Sequence, residues 1–295
     1  MASKQTRGEG RTAYLFAAPF LLVFAVFKLY PILYGVVVSF WNRNNATRLA
    51  DTTFVGLSNY QKVLASSSFW GGFGRSLVFS LVYTITIMVL GVLLAVLFNR
   101  TFKGRAFVRT CFYMPYVTNM IAVGVVFKYL LNPTRGPVNA VFRLFGAKGP
   151  QWLNSPVLAL PMTALIGVWV ALAFNIITTL AAMQDIPLEL NEVADMEGVT
   201  FWERMRHVTL PLIAPALFML LTITVINSFR SYTTVVGLTG GGPGTRSMVL
   251  SLQIYNDAFL FQKFSIASAE GVLFTLFIVM VNHLLAKVRT AWESR

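Results

Sequence analysis

Long runs of apolar residues alternate along the chain with short polar interruptions. Six runs reach the roughly 20 residues that a helix needs to cross the hydrocarbon core of a bilayer. They cover about 12–41, 73–98, 107–131, 157–183, 210–238 and 264–286, and the first is broken by Pro31. The interruption between the fourth and fifth runs, Asp185 to Pro211, differs from the rest. Six of the eleven acidic residues of the chain fall between positions 185 and 203. A charged island between apolar runs predicts a water-exposed loop joining two membrane helices.

Helix punctuation is written into this island. Pro187 suits the first position of a helix, with Glu189 in the first turn where the helix dipole favours a carboxylate. Leu190, Val193 and Ala194 would share one face, leaving Glu189, Glu192 and Asp195 among the polar positions. Gly198 is a C-terminal stop. Thr200 and Glu203 have the spacing of a capping box that opens a second short helix, with Phe201, Met205 and Val208 on one face. Pro211 begins or kinks the next membrane helix. The expectation is helix, glycine, helix on a membrane surface. Taken alone, the pattern also suits a solvated loop with no further role.

Composition fits the run pattern. Of 295 residues, 56% are hydrophobic and 12% charged, where a soluble protein carries about 25% charged residues. The expected fold class is all-α, a polytopic membrane protein of six transmembrane helices. The net charge of +13 is spread over short loops with no basic–aromatic patch, which suits a membrane surface better than nucleic acid. Cys111 is alone, which excludes disulfides within the chain and any multi-cysteine metal site. The first apolar run is too long for a cleavable signal and no clear cleavage site follows it, so a retained first helix is expected.

The basic residues also bear on orientation. With the N-terminus inside, the inner segments hold Lys4, Arg7, Arg11, Arg100, Lys103, Arg105, Arg109, Arg204, Arg206, Lys287, Arg289 and Arg295; the outer ones hold Arg43, Arg48, Lys62, Arg75, Arg135, Arg143, Lys148, Arg246 and Lys263. The bias, twelve against nine, is concentrated in the first two inner segments. Both termini and the acidic loop are therefore expected in the cytoplasm. Outside, FVGLSNYQKVL (54–64) and NPTRGPVNAVFRLFGAKGPQWL (132–153) mix aromatics with turn residues and read as ordered. LTGGGPGTRS (238–247) reads as a flexible loop; it lacks the G-x-x-x-x-G-K-[ST] spacing of a phosphate loop.

Catalytic constellations are absent from the sequence. The two histidines, His207 and His283, form no H-E-x-x-H, and there is no Walker lysine. Polar residues within the apolar runs carry more information, because a charge at a helix centre costs roughly 2.5–3.5 kcal/mol on insertion scales. Arg230 and Glu270 are the main candidates for such positions. Lys28 and Lys128 are expected near outer ends, snorkelling to the interface. Asn119, Asn175, Asn227 and Asn282 either bond between helices or line a pathway. Asn227, Ser228, Arg230, Ser231 and Tyr232 form one cluster in the less apolar half of a run, as a translocation path would.

Residues 192–211 resemble the signature of permease subunits of binding-protein-dependent ABC importers, E-A-A, three residues, G, nine residues, I-x-L-P. Here Glu192-Val193-Ala194 is followed by Gly198 and by Val208-x-Leu210-Pro211, with every spacing kept. Val193 and Val208 are mild departures, and Glu197 stands where the family usually has Asp. Tyr30-Pro31, Ser39-Phe40, FVGLSNY, KGRAFVRTCFYMPY, Gly136 with Asn139, Trp152-Leu153 and LTGGGP resemble the carbohydrate-uptake branch. FVGLSNY points to the maltose-type or glycerol-3-phosphate-type first permease.

The resemblance implies a type I ABC importer permease fold, with residues 1–295 as one transmembrane permease domain. It implies a second permease subunit, two ABC ATPase subunits that carry ATP and Mg, and an extracytoplasmic solute-binding protein; no cofactor is expected in this chain. Residues 185–208 would be coupling helices, with Glu192, Ala194, Gly198, Leu210 and Pro211 as the coupling residues. The maltose-type resemblance places a sugar near Tyr116, Met120, Trp169, Ala171, Phe174, Thr224, Asn227, Ser228 and Ser231. Aromatic faces beside amides and hydroxyls suit a polyol, although the same aromatics also serve as packing residues. Arg230 would instead favour an anionic glycerophosphate. A secondary transporter, with Glu270 as its carboxylate, and a membrane enzyme are weaker alternatives.

Overall fold

The computed structural model describes residues 7–43, 52–100 and 102–293, with backbone alone for 7–15, 191 and 293. Lys4, Arg48 and Arg295, three of the charges used for orientation, lie outside the described residues. Among the described residues, five helices are long and apolar enough to cross a membrane: Phe16–Ser39, Ser67–Asn99, Ala159–Gln184, Phe201–Phe229 and Phe264–Trp292. A sixth crossing arises if Arg105–Val117 and Met120–Leu130, bent by 105° at their junction, count as one broken span. The chain divides into two compact units, Met1–Ser66 with Ile254–Thr275, and Ser67–Gln253 with Leu276–Arg295.

In the first unit, α1 (Arg7–Phe24) runs through a π-helical turn, Ala25–Leu29, into α2 (Tyr30–Ser39). The expected break at Pro31 does not occur. Proline lacks an N–H, and its ring clashes with the carbonyl four residues earlier; widening the preceding turn to a π-bulge accommodates both. Lys28 lies in that turn, exposed and near the middle of the span rather than at an outer end. Beyond α2, β1 (Trp41–Asn42) pairs antiparallel with β2 (Thr53–Phe54), and α3 (Ser58–Ala65) follows.

One buried side chain ties this corner together. Asn59 donates from Nδ2 to Ser39 O at 2.8 Å and to Trp41 O at 3.0 Å. The Tyr60 hydroxyl lies 2.6 Å from Ser39 Oγ, and its ring rests against Phe40. Ser39-Phe40 and FVGLSNY, two separate stretches of the resemblance, are therefore one hydrogen-bonded corner.

The second unit is built on α4 (Ser67–Asn99) and α8 (Ala159–Gln184). Phe79, Ile87 and Phe98 from α4 pack with Ala164, Val168, Ile176 and Leu180 from α8. The helices approach closely where Gly91 faces Asn175; a Cβ on Gly91 would lie 3.1 Å from Asn175 Cβ.

The third apolar run is not the single helix that its hydropathy predicts. α5 (Arg105–Tyr113) passes through a 3-10 turn, Met114–Val117, and the chain then turns sharply into α6 (Met120–Leu130). Pro115 cannot donate to a continuing helix. Asn119 takes an extended conformation, and its Oδ1 accepts from Ile121 N at 2.9 Å and Ala122 N at 3.4 Å, capping α6. It thus bonds its own helix, not a neighbour. Asn282 does the same, donating to Ile278 O at 2.8 Å within α14 (Phe264–Glu293).

The loop after α6 carries α7 (Pro137–Leu144) and is held by Asn139, which is 1% exposed. Asn139 donates to Pro133 O and Pro150 O, both at 3.1 Å, and accepts from Trp152 Nε1 at 2.7 Å. The fifth run is also interrupted. α11 (Leu210–Phe229) ends at Arg230, and α12 (Tyr232–Leu238) starts after Ser231. α12 packs on α6 with almost no side chain between them: a Cβ on Gly124 would sit 2.4 Å from Gly237 O. The stretch 238–247, expected to be flexible, is laced by side chains. Ser247 is fully buried; its Oγ donates to Gly242 O at 2.6 Å and lies 2.7 Å from Thr239 Oγ1. α13 (Leu250–Tyr255) follows and begins with Leu250 N donating to Ser76 Oγ at 2.8 Å.

Candidate functional site: the acidic loop and the broken spans

The acidic loop folds into α9 (Leu188–Met196) and α10 (Phe201–Arg204). Pro187 is the N-cap rather than the first helical residue, one position earlier than expected, and Glu189 lies in the first turn. Gly198 ends α9 in the left-handed region, at φ +65°. Its N–H donates to Asp195 O at 3.2 Å, and that of Val199 to Ala194 O at 3.3 Å. This is the Schellman arrangement, in which glycine at C′ avoids the Cβ penalty of positive φ.

The capping box is formed. Glu203 N donates to Thr200 Oγ1 at 3.4 Å, and Thr200 N donates to Glu203 Oε2 at 2.7 Å. Arg204 is ion-paired with Asp195 across the turn. α10 continues through a π-helical stretch, Met205–Thr209, into α11, with Pro211 in the first turn. As at Pro31, the widened turn precedes the proline. Phe201, Met205 and Leu210 line a cavity of about 390 Å³ against Met88, Val92 and Val96 of α4.

The apolar face of α9 is not the expected one. Of Leu190, Val193 and Ala194, only Ala194 is buried. The opposite side carries Leu188, Glu192 and Met196, one turn apart from each other and all exposed, Met196 at 89%. Two large apolar side chains thus flank a carboxylate on a ridge that no described residue covers.

The pathway candidates separate into three sets. Tyr116, in the 3-10 turn, stacks on Phe174 with ring centroids 6.1 Å apart and planes 13° apart. Trp169 is 43% exposed and meets Phe127 edge-on at 5.3 Å, while Met120 opens α6 and Ala171 is half-buried against the core. Thr224, Ser228 and Ser231 are buried. Ser228 is turned into the helix packing, since its Oγ lies 2.6 Å from Ser80 Oγ of α4 and donates to Val225 O at 2.7 Å.

Asn227 and Arg230 are exposed at the end of α11. Arg230 sits at the break between α11 and α12, not at a helix centre. Glu270 is 2% exposed. Sequence reasoning missed Ser80, the polar partner of Ser228, and the Asp195–Arg204 pair. It also missed the break after Val117, for which Pro115 followed by Asn119 was an available signal. Among the described residues, no group of three or more His, Cys, Asp or Glu is placed to hold a metal ion.

Comparison with known proteins agrees with this architecture. Residues 87–290 match the family model of the binding-protein-dependent transport system inner membrane component. The chain is 29% identical to the trehalose/maltose transport system permease protein MalF of Thermococcus litoralis, over 98% of this chain and 97% of that one. It is 30% identical to the inner membrane ABC transporter permease protein YcjO of Escherichia coli, over 95% of each. It is 28% identical to the sn-glycerol-3-phosphate transport system permease protein UgpA of Agrobacterium fabrum, over 91% of each. In fold it is similar to a chain of the bacterial alginate ABC transporter, with a TM-score of 0.84 at 22% identity, over 94% of this chain and 93% of that one. With a family match over most of its length and the spans to carry it, this multi-pass membrane protein belongs to the binding-protein-dependent transport system inner membrane components.

Proposed function

We propose that this chain is a transmembrane subunit of an ATP-driven importer that carries a sugar into the cell. The observation that carries the proposal is the loop 185–208: two short helices joined at Gly198 and linked by the Asp195–Arg204 pair, presenting Leu188, Glu192 and Met196 outward. Such a surface is the counterpart of a cleft in an ATPase subunit, with Glu192 opposite a basic residue there. Residues 1–295 act as one permease domain, both termini and the acidic loop lie in the cytoplasm, and ATP and Mg belong to the ATPase partners. A second permease completes the pathway, and an extracytoplasmic solute-binding protein delivers the cargo. Closure of the ATPases on ATP would rock the helices as rigid bodies and open the pathway outward.

Sugar as cargo is supported by the aromatic and amide groups around the broken spans, with Tyr116 on Phe174, Trp169 on Phe127, and Asn227 exposed. The trehalose/maltose permease among the relatives agrees with it. A glycerophosphate is the second reading, favoured by the exposed Arg230 and by the sn-glycerol-3-phosphate permease. The test is reconstitution of the chain with a sister permease, ATPase and binding protein in vesicles. ATP-dependent uptake of a labelled sugar is expected. Uptake without ATP sinks the importer reading, and uptake of glycerophosphate but not sugar decides for the second.

A further inference from the structure

A groove runs along one face of α8, lined by Ala173, Ile176, Ile177, Leu180 and Gln184, and is closed on its other sides by Phe98 of α4 and by Arg109 and Phe112 of α5. Its volume is about 260 Å³. From Ala173 to Gln184 the helix rises about 16 Å at 1.5 Å per residue, about half of the roughly 30 Å hydrocarbon core and so the depth of one leaflet. The lining is aliphatic and aromatic, with polar groups from Arg109 and Gln184. No residue of the fifth span lines it, and neither does any of the pathway candidates.

The charge beside the groove is one-sided. Arg100, Lys103, Arg105 and Arg109 lie within ten positions, and the sequence has no acidic residue between Asp51 and Asp185. Among the described residues, no carboxylate is ion-paired with any of these four. Arg105 and Arg109 are one turn apart on α5, a repulsive spacing for like charges. The Nε atoms of both are buried without an acceptor, and the Arg109 guanidinium reaches only Phe98 O, at 3.4 Å. The sharp bend after α5 sets this short basic helix across the direction of α6.

We infer that this groove binds an anionic phospholipid, with the phosphate on Arg109 and Arg105 and one acyl chain laid along α8. A free phosphate would satisfy the guanidinium groups but leave the apolar length of the groove empty, and a zwitterionic lipid would leave the surplus of positive charge uncompensated. Arg100 stacks over Phe201 of the acidic loop at 5.4 Å, so the headgroup would lie beside the junction of α10 with α4. The inference does not depend on the nature of the cargo.

The test is native mass spectrometry of the full chain, assembled with its partner subunits and released from nanodiscs of equal parts phosphatidylglycerol and phosphatidylcholine. Wild type is expected to retain phosphatidylglycerol preferentially. Arg109→Gln should lower that preference roughly fivefold, the effect of one basic residue beside an anionic headgroup, and Arg109→Lys should restore most of it. Ile177→Trp, at a position already 47% exposed, should fill the groove and lower retention of both lipids. Equal retention of the two lipids by wild type overturns the inference, as does a preference unchanged in both Arg109→Gln and Ile177→Trp. Normal lipid retention with impaired uptake in Ile177→Trp also overturns it, by assigning the groove to the exit of the cargo.

Discussion

Arg204 of α10 reaches back across the glycine turn to pair with Asp195 of α9. Both side chains are partly exposed, at 28% and 66%, so the pair adds little to stability; exposed pairs are worth about 0.2–1 kcal/mol. It links the two loop helices across the turn, and the role given to it is to orient one against the other. Asp195→Asn and Arg204→Gln should each leave the chain in the membrane with its thermal stability nearly unchanged while lowering transport per ATP hydrolysed. A double-mutant cycle on that ratio should show coupling between the two sites; additive losses would refute the role given to the pair.

Gly198→Asp should abolish uptake while the subunit still reaches the membrane, read by immunoblot of the membrane fraction. A side chain at φ +65° costs about 1–2 kcal/mol for a left-handed conformation, enough to open the turn locally but not to unfold spans packed elsewhere. Asparagine tolerates this conformation better, so Gly198→Asn should retain more activity than Gly198→Asp. Normal uptake in the aspartate variant would remove the turn from the coupling path.

Glu192→Ala should weaken attachment of the ATPase subunits, measured by co-purification. Met196→Ala should do the same without any change of charge, because Met196 stands on the same exposed ridge. Undiminished attachment and transport in both variants would mean that the ridge faces something else.

Asn227→Ala should lower maximal transport more than the affinity of the assembly for its binding protein. The side chain is exposed near the end of an apolar helix, where a hydrogen-bonding amide is costly unless it serves a cargo or a partner helix. Unchanged maximal transport would exclude Asn227 from the pathway.

Gly124→Val should be among the most damaging single changes in the apolar part of the chain. The new side chain would meet the carbonyl of Gly237, and backbone cannot yield as a side-chain terminus can. Overpacking of this kind typically costs 1–3 kcal/mol. A lowered melting temperature of the purified chain in detergent is the expected result; an unchanged one would show that α6 and α12 separate freely.

The acidic loop was legible because its signals are local. Thr200 and Glu203 are three residues apart, Gly198 stands where a helix must stop, and each acts on backbone within one turn of itself. The buried face of α9 was not legible, since Leu190, Val193 and Ala194 follow a pattern that fits a core equally well, and only the tertiary structure leaves the first two exposed. Hydropathy also hid the broken third span. Its apolar residues continue through Pro115 and Asn119, and a scale of transfer energies carries no term for a missing N–H or a side-chain cap. The same blindness, in reverse, made Pro31 look like a break, because the widened turn ahead of it accommodates the proline within one continuous span. Asn59 and Asn139 stood in stretches that the resemblance picked out, but their structural role was not legible, since each bonds to backbone or side chains of residues distant in sequence.

The close approach of Gly124 and Gly237 has a mechanical consequence. α6 begins just after the cap at Asn119, and α12 begins just after the break at Arg230. Two helices joined backbone to backbone cannot slide past each other without losing that contact. The third and fifth spans therefore have their joints at the start of one shared piece, and torque reaching either joint would turn that piece as a single lever with two fulcrums.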